Sequence, residues 1–533
     1  MRYGFVIDQR KCIGCHACTV ACKEENQVPL GVNRTWVKYI EKGTFPDTRR
    51  YFSVMRCNHC DNAPCVTICP TVALYRRPDG IVDFDGDRCI GCKSCMQACP
   101  YDALYIDPET QTAAKCHYCA HRIEVDLEPA CVIVCPVQAI VPGDLDDPNS
   151  RIARLVASQQ VAVRKPEQGT QPKLFYLGAD EASLTPAMQE RGGYAFAENS
   201  RIPTPGRPNV VGAAPSGDQG VDLLRMARTV YDIAHAERPW GWKVSTYLWT
   251  KSIAAGALLV AALFGWSGWG DLRTVVAPAI SLVFLAVTTA LLVLDLKRPE
   301  RFLYILFKPN WRSWLVWGGW ILMAFGGAGT LWLLGGIWND QALLTKLTIP
   351  VVILALATAG YSAFLFGQAE GRDFWQSPMV LPHLIVTTIV AGTAVLLMVA
   401  PGWAFISAQP ALGPNPFMYV RRVLPVAPPS HMLFPFMVLW LLLHGGLLMV
   451  ELFSRHASHD ATQAARLLTR GRLRWWLWGG VVGGGIVLPI VLVLCAAAWS
   501  SAVLTVVSAA LVLGGLWLWE DLWVRAGQAL PLS

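Results

Sequence analysis

Beyond residue 135 the 533-residue sequence is almost without cysteine: of 17, only Cys495 lies further on, in an apolar run where it reads as a small buried hydrophobe. No G-x-G-x-x-G follows a strand-like run and no P-loop occurs in a fitting context, which argues against a nicotinamide or nucleotide site in this chain. Met1 to Arg10 has no apolar core followed by a small-residue cleavage site, and Arg49-Arg50 precedes no apolar stretch, so no export signal is expected. A disulfide framework is disfavoured on the same ground, and because the cysteines crowd so closely along the chain. The formal charge of +7 does not point to nucleic acid, since Lys and Arg gather in loops between apolar runs.

The cysteines that are present form four groups: Cys12, Cys15, Cys18 and Cys22; Cys57, Cys60, Cys65 and Cys69; Cys89, Cys92, Cys95 and Cys99; and Cys116, Cys119, Cys131 and Cys135. The third has the C-x₂-C-x₂-C-x₃-C-P spacing that wraps a [4Fe–4S] cube, with the fourth cysteine reaching a neighbouring cluster. Structural zinc is the plain alternative for one Cys-x-x-Cys pair. Four quartets in succession favour sixteen ligands for four cubes. Between them, Gly80-Ile81-Val82-Asp83-Phe84-Asp85 and Ala103-Leu104-Tyr105-Ile106-Asp107 read as hairpin strands.

By these groups, and by the segment Val163-Arg164-Lys165-Pro166-Glu167-Gln168-Gly169, residues 1–180 resemble the four-cluster electron-transfer subunit of dimethyl sulfoxide and polysulfide reductases. The resemblance implies that the first and fourth groups pair, as do the second and third, with the last ligand crossed within each pair. It thus implies Cys12, Cys15, Cys18 with Cys135; Cys116, Cys119, Cys131 with Cys22; Cys57, Cys60, Cys65 with Cys99; and Cys89, Cys92, Cys95 with Cys69. One departure is Lys23, which follows Cys22 where the other groups have proline.

Residues 181–238 read as a linker or strap, rich in Pro and Gly from about 181 to 219. Within it, Val221 to Ala236 has the spacing of a helix lying on a membrane surface or against the cluster domain. From residue 239 onward eight apolar runs are long enough to cross a bilayer: 244–266, 275–294, 313–335, 345–367, 379–400, 431–453, 475–498 and 500–520. Tryptophans at run ends, among them Trp240, Trp242, Trp311, Trp475, Trp476 and Trp523, read as interfacial belts. Gly479, Gly480, Gly483 and Gly484 suit close helix packing. The expected architecture is an α+β ferredoxin-like double two-cluster domain fused to an all-α eight-helix transmembrane bundle.

Trp240-Gly241-Trp242, Leu294-Asp295-Leu296-Lys297-Arg298-Pro299, and Tyr361 followed by Gly367-Gln368-Ala369-Glu370-Gly371-Arg372-Asp373 are similar to the NrfD-type quinone-reactive membrane subunit of polysulfide reductase. The likeness implies a site for a quinone or quinol (menaquinone or ubiquinone), with Tyr361 bonding the headgroup, and a separate molybdopterin (Mo or W bis-pterin) catalytic subunit. Sulfite, formate, polysulfide, thiosulfate or an arsenic oxyanion is the implied substrate, with sulfite or formate favoured. In that family the two parts are usually separate chains, so their fusion is a further departure.

Ionisable residues inside a bilayer are costly and mark sites. Tyr361, Lys251 and His444 are the catalytic candidates; Asp295, Glu370, His383 and Glu451 are further candidates for holding quinone. Lys251 lies roughly 12 Å beyond Lys243 at ~1.5 Å per residue, too deep to snorkel without strain. Asp295 and Glu451 have the simpler alternative of capping a helix or pairing with Arg298 and Arg455. For His383 and His444 that alternative is helix packing; no haem is expected. These groups fall on the cluster side, with His444 about midway, while the far half of the bundle is nearly apolar. That pattern favours quinone chemistry over a redox-driven proton pump. It also favours it over a passive anchor that relays to a soluble acceptor.

Twelve Lys and Arg residues flank the spans on the cluster side and four on the other. The positive-inside rule therefore places the cluster domain in the cytoplasm, on the inner membrane. A periplasmic cluster domain, carried across by a partner, is the alternative.

Overall fold

The computed structural model describes residues 1–43, 45–186, 189–196, 227–233, 239–264, 270–408 and 430–533. Among these, the cluster domain has twelve strands in chain order: β1 (Tyr3–Asp8), β2 (Thr35–Lys42), β3 (Arg49–Arg56), β4 (Leu74–Arg76), β5 (Val82–Phe84), β6 (Leu104–Ile106), β7 (Ala113–Lys115), β8 (Ile140–Asp144), β9 (Val161–Ala162), β10 (Leu174–Leu177), β11 (Gln189–Phe196) and β12 (Ala227–Asp232). They form a sheet of order β8-β1-β10-β9, a sheet of order β11-β12-β2-β3, and the hairpins β4-β5 and β6-β7. The two hairpins contain the strands expected from Gly80–Asp85 and Ala103–Asp107.

Each cysteine group leads into a short helix. After the three Cys-Pro steps the third residue beyond the cysteine is left-handed in every case: Val72 at φ 55°, Asp102 at 56° and Gln138 at 48°. The repeated turn shows one backbone device used three times. The first group departs from it, because Lys23 carries a backbone N–H where proline has none. Its helix therefore runs on from Ala17 to Glu25, against the five residues of Pro64–Ile68 and Ser94–Ala98.

The surface helix expected over Val221 to Ala236 is not formed where this segment is described. Ala227–Asp232 is a strand, antiparallel to β2 and parallel to β11. Thr229, Val230 and Tyr231 suit a pleated surface better than a helix, and alternation buries Ala227 and Thr229 while Arg228 points out. The rest of that segment, and most of the linker, lie outside the described residues. The cluster domain thus draws in residues beyond 180.

Among the described residues eight helices are long and apolar enough to span: Trp242–Leu263, Leu272–Asp295, Trp314–Ile337, Gln341–Gly367, Val380–Pro401, Met432–Phe453, Trp476–Trp499 and Ala502–Gly527. The first and fifth are central, with 83% and 78% of their apolar windows buried, against 22% for the second. They touch where Gly256 meets Gly392, since a Cβ on either would run into the other helix's backbone. The seventh span begins as a π-helix over Trp476–Val487. There the closest approach is between Gly485 and Gly515 of the eighth span, rather than through Gly479, Gly483 or Gly484.

The tryptophans divide into two sets. Trp242, Trp311, Trp475 and Trp476 are exposed, as a belt requires, whereas Trp240 and Trp523 are buried. Trp240 stacks on Trp375, and Phe366 and Trp523 pack edgewise against each other. Of these rings, Trp240 reaches the cluster domain, at the Cys92 carbonyl.

Candidate functional site

Three voids in the cluster domain are each lined by four cysteines: Cys12, Cys15, Cys18 and Cys135; Cys22, Cys116, Cys119 and Cys131; and Cys69, Cys89, Cys92 and Cys95. In the fourth set, Cys99 lies among Cys57, Cys60 and Cys65 within electrostatic range. These are the crossed quartets implied by the resemblance. Among the described residues no three His, Cys, Asp or Glu side chains converge on a single ion. Thiols spaced around a void suit a polynuclear cluster better than one ion. Backbone N–H groups already point at several of them: Gly91 and Ala113 donate to Cys89 Sγ at 3.4 Å, Leu74 to Cys69 Sγ at 3.5 Å and Ala139 to Cys135 Sγ at 3.3 Å. Hydrogen bonds to ligand sulfur are one of the levers on a cluster's potential.

The second and third groups face the bundle. Trp240 Nε1 donates to the Cys92 carbonyl at 3.2 Å, and Asn310 Nδ2 to the Cys69 carbonyl at 2.8 Å. The backbone N–H groups of Lys297 and Arg298 reach the carbonyls of Gly91 and Ile90, and Gly371 packs on the carbonyls of Gln97 and Cys99. Asp295 does not pair with Arg298: Lys93, inside the cysteine loop, donates to it at 2.9 Å, so this carboxylate fastens the cluster domain to the second span. Glu370 is half-buried in the same docking region, where burial pushes its carboxyl up, and it stands apart from Tyr361 and Lys251.

Below this junction lies a group of buried polar side chains. Lys251, fully buried, donates from Nζ to Ser362 Oγ at 2.7 Å and to the Ala359 carbonyl at 3.1 Å, and it does not snorkel. Its Nζ stands 4.9 Å from the centre of the Tyr361 ring. Gly318 of the third span makes room for that ring, since a Cβ there would strike it.

His383, His444 and Glu451 form a second cluster one helix away. His383 Nδ1 is 2.7 Å from Glu451 Oε2, and its Nε2 is 3.1 Å from His444 Nδ1. Glu451 is thus held by His383 and by Trp523 Nε1 at 2.8 Å, not by Arg455.

Sequence reading missed Glu520, Asp521 and Tyr247. Glu520, 3% exposed, is within electrostatic range of Lys251, His383 and Glu451, so it connects the two polar clusters. Asp521 pairs with Arg525 at 2.7 Å and accepts from Ser245 Oγ. Tyr247 lies within range of Tyr361, Asp295 and Glu520. The signal was present: two adjacent carboxylates interrupt the last apolar run. Ending that run at residue 520 set them at the interface, whereas the helix continues to Gly527.

A cysteine-rich domain built to hold redox centres and seated on a multi-pass membrane bundle is an electron-transfer and anchoring subunit of a membrane oxidoreductase. The family follows from the bundle: residues 232–529, more than half of the sequence, match the model for polysulphide reductase, NrfD, and the protein belongs to that family. Residues 48–145 match a 4Fe-4S dicluster domain and residues 10–26 a 4Fe-4S binding domain, so the cysteines serve iron–sulfur clusters.

Relatives of the cluster domain include a tetrathionate reductase subunit of Salmonella typhimurium, 49% identical over 35% of this chain and 76% of that protein. A polysulfide reductase chain of Wolinella succinogenes is 45% identical over 33% of this chain and 94% of its own length. The arsenate respiratory reductase iron-sulfur subunit of a Shewanella strain is 36% identical over 33% and 96% respectively.

Proposed function

We propose that this chain carries electrons through four [4Fe–4S] clusters between a molybdopterin catalytic subunit and the membrane quinone pool. The observation that supports it most is the continuity of the path. Four crossed cysteine quartets run from the exposed Cys15 to the Cys69, Cys89, Cys92 and Cys95 quartet, which rests directly on the bundle above Lys251 and Tyr361. At the distal end, Ile13 lines the same void as Cys15 and exposes apolar surface, which suits docking of the catalytic subunit. The names of the relatives favour an oxidised sulfur or arsenic compound as that subunit's substrate.

At the near end, Tyr361 donates a hydrogen bond to a quinone carbonyl. Lys251 exchanges protons with the headgroup, and Glu520 passes them from His383, Glu451 and His444. All of these lie in the cluster-side half of the bundle, so protons and electrons meet on one side. A passive anchor would have no use for a buried lysine.

Anaerobic iron and acid-labile sulfide analysis with spin quantitation should give about sixteen irons per chain. Eight irons, or stoichiometric zinc, would defeat the four-cluster reading.

The cluster domain faces the cytoplasm on this reading, supported by the basic loops at its end of the bundle. Protease should therefore cut it in inverted vesicles and spare it in sealed right-side-out ones. Cleavage confined to right-side-out vesicles would place it in the periplasm.

A further inference from the structure

The void lined by Cys22, Cys116, Cys119 and Cys131 differs from the others in what faces its thiols. Arg56, the last residue of β3, is 1% exposed, and its Nη1 donates to Cys131 Sγ at 3.2 Å. Asn26 Nδ2 lies 3.6 Å from Cys22 Sγ and 3.8 Å from Cys119 Sγ. His59 accepts from the Val82 N–H at Nδ1, so Nε2 carries the proton and faces Cys116 Sγ at 3.8 Å. Each of the four thiols therefore meets a side-chain donor.

Among the described residues around this void, Arg56 is also the one cation without a conventional partner. Lys173 reaches Asp61 at 2.9 Å. Arg34 bonds Asn26 Oδ1 and the Tyr105 hydroxyl, and Lys115 bonds the carbonyls of Val82 and Cys116. Arg56 Nε and Nη2 find no acceptor among the described residues. The Phe5 ring covers the guanidinium, 4.6 Å from its carbon, and the groups acting electrostatically on it are the thiols of Cys131, Cys116 and Cys18. A guanidinium does not lose its proton in proteins, and an unpaired buried charge is strongly unfavourable. Something negative must occupy the void beside it.

We infer that Arg56 is the fixed counter-charge of the cluster held by Cys22, Cys116, Cys119 and Cys131, and that it raises that cluster's reduction potential. This rests on the four-cluster reading above. A [4Fe–4S] cube with four thiolates is anionic and becomes more so when it takes one electron from a neighbouring cluster. A cation in contact with a ligand sulfur, within a low-dielectric interior, therefore stabilises the reduced form more than the oxidised one. The orphan donors Nε and Nη2 are free to face the cluster's inorganic sulfides. Asn26 and His59 act in the same direction through neutral hydrogen bonds, which are weaker than a charged one.

The test is an EPR-monitored potentiometric titration of the full-length membrane protein, with iron content measured alongside, for Arg56→Lys and Arg56→Gln. Arg56→Gln should move the midpoint of one cluster to lower potential and leave three in place, while Arg56→Lys should keep that midpoint near the wild-type value. If Arg56→Gln instead lacks one cluster and Arg56→Lys retains all four, the counter-charge role is equally supported. An unshifted midpoint in a fully loaded Arg56→Gln protein overturns the inference, as does loss of the same cluster from Arg56→Lys. Fewer than four clusters in the unsubstituted protein would fault the underlying reading, a result the iron measurement reports separately.

Discussion

Cys95→Ala should remove one cluster and abolish quinone-linked turnover. Cys95 is buried in the quartet nearest the bundle, with Cys69, Cys89 and Cys92 around the same void. Alanine supplies no ligand to that quartet, so iron content should fall by ~4 per chain. Electrons delivered by the catalytic subunit would then stop short of the membrane. The spanning helices satisfy their own backbone hydrogen bonds without metal, so the variant should still insert at full length. Iron analysis, EPR and quinol-analogue oxidation on the same membranes check the three parts together. A variant with full iron content and wild-type turnover would remove Cys95 from the electron path.

Lys251→Met should leave all clusters in place and reducible from the catalytic side, yet slow quinone reduction by about 10²-fold or more, the range of general acid–base catalysis. Methionine fills a similar volume, so the central first span should keep its packing. What is lost is the Nζ that bonds Ser362 and Ala359 and stands beside the Tyr361 ring. Tyr361→Phe keeps the ring against Gly318 and removes one hydroxyl. It should cost about 1–3 kcal/mol of headgroup stabilisation if that hydroxyl bonds the quinone. Stopped-flow reoxidation of pre-reduced clusters by a quinone analogue separates this step from partner-side reduction. If both variants reoxidise at the wild-type rate, the pocket is elsewhere and the passive anchor gains. A lysine with a purely structural role would show itself as misassembled protein instead.

The split into a cluster domain and eight spans was legible because both signals are local. Ligand spacing along a loop and an unbroken apolar run near twenty residues long need no knowledge of distant contacts. The hairpins at Val82–Phe84 and Leu104–Ile106 were legible for the same reason. The strand at Ala227–Asp232 was not: its hydrogen-bonding partner, β2, lies almost two hundred residues earlier, and a short segment with small and apolar residues at three- and four-residue spacing also fits a helix. Partner choice failed in the same way. Asp295 and Glu451 each have an arginine within four residues, but the folded chain gives them Lys93 and His383.

The sequence by itself determined what chemistry the chain can hold: sixteen thiols in four quartets, and a few ionisable groups set into apolar runs where each is too costly to be incidental. The tertiary structure alone decided which of these meet. It closes quartets between cysteines as far apart as Cys12 and Cys135, seats one of them on Trp240 and Asn310, and draws Lys251, Tyr361 and Glu520 together from three helices. It also leaves the Arg56 guanidinium facing a void with no carboxylate among the described residues to answer it. Composition and spacing act along the chain, whereas charge pairing and burial act through space. For that reason the inventory could be read from residue order and the circuit could not.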